Sequence, residues 1–134
     1  MKIPYRYILL IPLFVFMVVT CQKSQGSDAS SDASTVVEQY FKALVAKDAT
    51  RAINLSCAAW EEQAQIDADT FAINPATAEN VQCEVTRKDE DNSLVSCTGK
   101  LVLDYNGEKQ EIDLADRTYQ VTQEGGEWRM CGYK

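Results

Sequence analysis

From Val36 to about residue 65 the apolar residues of this chain keep a helical spacing, and from Val81 onward an alternating one. That single change of period sets the class: helices first, then an antiparallel sheet. Thr35 and Glu38 stand at capping-box spacing, and Val36, Val37, Tyr40, Phe41, Leu44 and Val45 then mark one helical face. Asp48 is placed to cap a second, short helix carrying Ala52 and Ile53. Cys57, Trp60 and Ala64 fall at i, i+3 and i+7 on a third, which turns Cys57 inward. Ile66 to Ala78, broken by Asn74-Pro75, reads as a connection with a short strand around Phe71.

Val81, Cys83 and Val85 lie on one face of the first strand, and Val95, Cys97, Leu101 and Leu103 on one face of the next. Bringing both sets to the same side requires opposed residues whose numbers sum to an even value. Arg87 opposite Ser93 does so, with Lys88 to Asn92 as the loop and Cys83 opposite Cys97. Asn106-Gly107 is a two-residue hairpin signal, and pairing Tyr105 with Glu108 sets Leu101 opposite Ile112, so the apolar faces agree again. The third strand loses its alternation near Ala115 to Arg117, which suggests a bulge. Gly125-Gly126 then turns into a last strand. The expected architecture is α+β, with N-terminal helices packed on a curved four-stranded antiparallel meander.

In such a meander Cys97 and Cys131 are two strands apart, beyond the roughly 7 Å Cα limit of a disulfide, and Cys83 is farther still from Cys131. The pairing left is Cys83 with Cys97 and Cys57 with Cys131. One conflict remains. A two-residue turn at Gly125-Gly126 puts Cys131 on the face opposite Trp128 and Met130, so a bulge intervenes or the face assignment is wrong.

At the N-terminus, Lys2 and Arg6 precede an apolar run from Ile8 to Val19 that is shorter than the roughly 20 residues of a membrane span. It reads as the core of an export signal over residues 1–20. The run ends in Val18-Val19-Thr20-Cys21, which resembles the lipobox of bacterial lipoproteins, with Thr20 where Gly, Ala or Ser is usual. The resemblance implies that Cys21 becomes the lipidated N-terminus and anchors the chain in a membrane of the bacterial cell envelope, outside the cytoplasm. An ordinary signal peptide or an uncleaved anchor is the alternative. Residues 21–34, rich in Ser, Asp and Gln, read as the lipidated Cys and a flexible tether with a reach of roughly 20 Å, leaving residues 35–134 as the domain. Four cysteines then remain in an exported chain, an even count that suits disulfides.

Helices followed by such a meander resemble the nuclear transport factor 2-like fold, also called cystatin-like. Val37-Glu38-Gln39-Tyr40-Phe41-Lys42-Ala43-Leu44 with Lys47-Asp48-Ala49 looks like the opening helices of small exported members. Glu127-Trp128-Arg129-Met130-Cys131-Gly132 looks like their closing strand. The resemblance implies a cone between helix and sheet, where the enzymes of the fold place an acid with a Tyr or His. This chain has no His, so Tyr40, Tyr119 and Asp104 are the candidates, although Asp104 falls on the outward parity of its strand. Tyr40, Trp60, Tyr119 and Trp128 are placed to line the cone, for a small apolar ligand or a side chain of an envelope protein partner, or to serve as plain core.

The chain carries 13 Lys plus Arg against 20 Asp plus Glu, a net charge of -7, which argues against nucleic-acid binding. Loss of residues 1–20 removes Lys2 and Arg6 and no acid. Anionic headgroups would then repel the chain, and lipid must supply all of its membrane affinity. Asp89-Glu90-Asp91-Asn92-Ser93 opens like a calcium loop, but Leu94 stands where the turn Gly belongs and Lys100 where the bidentate Glu belongs. No metal, cofactor or catalytic motif is expected. The functional expectation is a lipid-anchored envelope domain for binding or structural support, and the alternative is a small-molecule enzyme using an acid and a Tyr in the cone.

Overall fold

The computed structural model describes residues 29–134, so the export signal, Cys21 and residues 22–28 of the expected tether lie outside the described residues. Helix α1 spans Ala29–Val45, beginning six residues before Thr35. Residues 29–34 are therefore helix rather than tether, and Ala33 is already fully buried. Thr35 and Glu38 stand inside the helix, so neither occupies the capping position expected of it. Glu38 instead turns to the sheet, where its carboxylate accepts the backbone N–H of Cys83 at 3.0 Å. The expected face is buried: Val36, Val37, Tyr40, Phe41 and Leu44 all enter the core. Lys47 takes a left-handed φ of 59° to end this segment, and Asp48 caps α2 (Ala49–Asn54) by accepting from the N–H of Arg51.

Cys57 precedes a 3-10 turn at Ala58–Trp60 rather than lying on a helix. It is nonetheless fully buried, because its N–H bonds Met130 O and draws this linker alongside the last strand. Helix α3 follows at Glu61–Ile73, where the sequence reading placed a connection and a short strand near Phe71. Phe71 is a buried helical residue. The apolar pattern misleads here because Ala64, Ala68 and Phe71 face inward while Ile66 and Ile73 are exposed, Ile73 by 81%.

The sheet holds five strands: β1 (Ala76–Asp89), β2 (Asn92–Tyr105), β3 (Glu108–Asp113), β4 (Thr118–Glu124) and β5 (Glu127–Tyr133). A 3-10 turn at Leu114–Asp116, rather than a bulge, cuts the expected third strand into β3 and β4. Both pieces pair with β2, β4 along Asn92–Ser96 and β3 along Lys100–Tyr105. The backbone order is β1-β2-β4-β5 with β3 beside the far half of β2. The Asn106-Gly107 turn and the Leu101–Ile112 pairing stand as the sequence indicated, with φ of 56° and 92° at the two turn residues.

In the first hairpin Cys83 faces Cys97, but Asp89 pairs with Asn92 across a two-residue turn in place of the five-residue loop. A register shift between Val85 and Arg87 absorbs the difference, and Arg87 faces Leu94 rather than Ser93. A second shift sits between Glu79 and Gln82, opposite Gly99. A third resolves the face conflict at Cys131. Val121 pairs with Met130 and Gln120 with Gly132, so Cys131 is the extra residue of a bulge and turns to meet Cys57. The disulfides are Cys57–Cys131, with Cα atoms 5.2 Å apart, and Cys83–Cys97.

Gly99 has a φ of +92°, and a Cβ there would lie 2.5 Å from the carbonyl oxygens of Glu79 and Asn80. Both obstacles are backbone, so no side-chain motion relieves them. Gly99→Ala is expected to destabilise the domain by about 2 kcal/mol or more, read as a lower midpoint in chemical denaturation, whereas Gly107→Ala, with open space around its Cβ, tests the φ penalty alone.

Candidate functional site

Between the inner face of the sheet and the helices lies a cavity of about 180 Å³. Phe41, Leu44, Leu101, Leu103 and Met130 supply apolar wall. Its polar end is built by two helices. Tyr40, on the buried face of α1 and only 1% exposed, donates its hydroxyl to Asp67 Oδ2 of α3 at 2.8 Å. Gln63, one helical turn before Asp67, donates to the other oxygen at 2.9 Å. Burial pushes the Tyr40 hydroxyl well above the ordinary phenol value, and the charge and hydrogen bond of Asp67 act in the same sense, against a smaller opposing effect of Trp60. Tyr40 is thus a neutral hydrogen-bond donor and not a base.

Tyr119 enters from β4, packing edge to face on Phe41 at 5.2 Å between centroids. Burial pushes its hydroxyl up to about 12, with Arg117 pulling the other way, and it donates to Leu114 O at 3.3 Å. Tyr133, at the end of β5, packs against the rings of Trp60 and Tyr119. The guanidinium of Arg117 lies over the Tyr133 ring, 4.2 Å from its centroid. Both Arg117 and Tyr133 border the cavity.

Of the four aromatic candidates, Tyr40 and Tyr119 line this cavity. Trp60 stands behind it, against Tyr133, with its buried indole N–H near enough to the Tyr40 hydroxyl to act on it electrostatically but without the geometry of a hydrogen bond. Trp128 is elsewhere, bordering a separate groove with Val36 and Leu55. Asp104 is not a cavity residue; its carboxylate accepts the N–H of Gly107 and braces the β2–β3 turn. The acid that does reach a Tyr hydroxyl, Asp67, was missed because its segment was read as a connection. Extending the Trp60–Ala64 helical face by one turn brings it in. Among the described residues no cluster of His, Cys, Asp or Glu could hold a metal ion, and Asp89 of the calcium-like segment pairs with Arg87.

No protein-family model and no curated protein matches the chain. Solved structures do. A protein of Shewanella oneidensis, nuclear transport factor 2-like and of unknown function, superimposes with a TM-score of 0.50 at 10% identity, over 72% of this chain and 88% of its own. The fold is nuclear transport factor 2-like. A putative scytalone dehydratase of Novosphingobium aromaticivorans is similar at TM-score 0.52 and 10% identity, over 72% of this chain and 74% of its own. A putative calcium/calmodulin-dependent protein kinase II association domain of Xanthomonas campestris reaches 0.57 at 16% identity, over 74% and 80%. At these identities the likeness is one of fold.

Proposed function

We propose that this chain is a lipid-anchored domain of the bacterial cell envelope that binds a compact, largely apolar molecule in the cavity between α1, α3 and the sheet, without transforming it. The cavity carries this reading. An apolar cavity of about 150 Å³ is large enough to take a benzene ring, so about 180 Å³ suits a single ring or a short branched chain and no more. The export signal, the Val18-Val19-Thr20-Cys21 sequence and two disulfides support an envelope address. Among the described residues no helix is long and apolar enough to cross a membrane, and Cys21, outside them, is the proposed point of attachment. A structural accessory role, with the outer sheet surface meeting an envelope protein, follows if the cavity stays unfilled by any ligand.

The Tyr40–Asp67 contact favours a second reading, an acid-base enzyme on small molecules, and one fold neighbour is described as a putative dehydratase. Two features weigh against it. Tyr40 is held neutral, and both oxygens of Asp67 already accept from the chain's own Tyr40 and Gln63, so a substrate must compete for them.

The test is a fragment titration of the full chain in detergent, followed by NMR. One-ring fragments should shift the resonances of Tyr40, Leu103 and Met130 with affinities of about a millimolar or tighter, two-ring fragments should not, and the bound fragments should be recovered unchanged. Conversion of a bound fragment that disappears in Asp67→Asn while binding persists would replace this reading with the enzyme.

A further inference from the structure

The hydrogen-bonding groups around the cavity are unequal in number and kind. Asp67, the acid that lines it, has a donor on each oxygen. The Tyr119 hydroxyl is engaged with Leu114 O, and the Thr70 hydroxyl donates to Ile66 O. The groups left over can all donate, and Arg117 can do nothing else: the hydroxyls of Tyr105 and Tyr133 and the guanidinium of Arg117, none of which has a hydrogen bond or ion pair among the described residues. Arg117 is also half-buried. Its Cζ sits over the face of the Tyr133 ring, a contact that engages the cation and uses none of its five N–H donors in a conventional hydrogen bond. Tyr133 is fixed in turn by edge contacts to Trp60 and Tyr119, so the fork is held in place rather than left to wander.

We infer that the ligand of this cavity is a small carboxylic acid, its apolar body between Leu101, Leu103 and Met130 and its carboxylate on the edge of the Arg117 guanidinium; the inference rests on the cavity being a ligand site. A planar fork of donors matches a carboxylate with two parallel hydrogen bonds. The Asp67 carboxylate, already met by Tyr40 and Gln63, repels an anion rather than holding it, so Arg117 is the cavity residue that suits the carboxylate. The chain as a whole repels anions, with a net charge of -7, so any preference for a carboxylate has to come from a local contact of this kind.

The test is a titration of the full chain in detergent with two matched pairs, benzoate against benzamide and pivalate against pivalamide, at fixed ionic strength. Each carboxylate should bind at least about tenfold more tightly than its amide. Arg117→Ala should remove that ratio while leaving amide affinity in place, and Arg117→Lys should restore only part of it, because an ammonium keeps the charge and loses the fork. Equal affinities of acid and amide for the native chain overturn the inference and leave the cavity reading intact, and that comparison needs no variant to fold. A ratio that survives in Arg117→Ala overturns it as well. No binding by any of the four compounds removes both this inference and the cavity reading beneath it.

Discussion

Replacing Cys57 and Cys131 together by serine is expected to cost about 4 kcal/mol of stability, most of what a domain of this size has to lose. The two residues are 74 apart in sequence, and tying such a long loop removes much of the freedom of the unfolded chain. The same substitution at Cys83 and Cys97, 14 apart, should cost about 3 kcal/mol or less by the same reasoning, because the hairpin between them is also held by strand pairing. Equilibrium denaturation of the two double variants gives the order directly, and an equal or smaller loss at Cys57 and Cys131 would contradict it. The long bond has a second consequence. Cys57 opens the turn that carries Trp60 and leads into α3, and Asp67 stands on that helix. Amide exchange along α3 should therefore quicken in the Cys57 and Cys131 variant more than in the other.

The strands were legible because their signals are local and binary. Alternation puts a residue on one face or the other, Asn106-Gly107 leaves little choice of turn, and a sheet with one buried face tolerates only one parity. The places that failed share a cause: one extra residue in a strand changes parity without leaving a mark in composition. Thr86 shortens the first hairpin loop to two residues, and Cys131 reverses its own face. The second of these shows in the sequence as a clash of parity between Cys131 and its neighbours Trp128 and Met130, and the bulge removes it. Helix α3 failed for a different reason. Its inward positions are mostly alanine and its isoleucines point outward, so the period carried by large residues is that of the wrong face, and tertiary packing overrides it. The site suffered with it, since Asp67 lies on α3 and Arg117 beside the turn that splits the third strand. Tyr40 and Tyr119 were found because each also serves the core.

Intact mass of the chain recovered from membranes is expected to match a polypeptide that begins at Cys21 and carries acyl chains, and Cys21→Ser is expected to move the protein almost wholly out of the detergent phase. The size of the effect follows from where the affinity resides. One myristoyl-length chain gives marginal, reversible binding of about 10⁴ M⁻¹, and each buried methylene adds about 0.8 kcal/mol, so a diacylglyceryl thioether plus an N-acyl chain holds firmly. The rest of the mature polypeptide opposes attachment, with 20 acidic side chains to 11 basic ones once Lys2 and Arg6 are gone. Nothing else compensates when the lipid is lost, and retention of Cys21→Ser on the membrane would point to an uncleaved anchor instead. The geometry also bounds how far the domain can stand off. Helix α1 already begins at Ala29, so the link from Cys21 spans at most roughly 27 Å when fully extended. If Cys21 carries the lipid, that length is the farthest the start of α1 can stand from the membrane surface, and a longer separation measured for Ala29 would contradict attachment at Cys21.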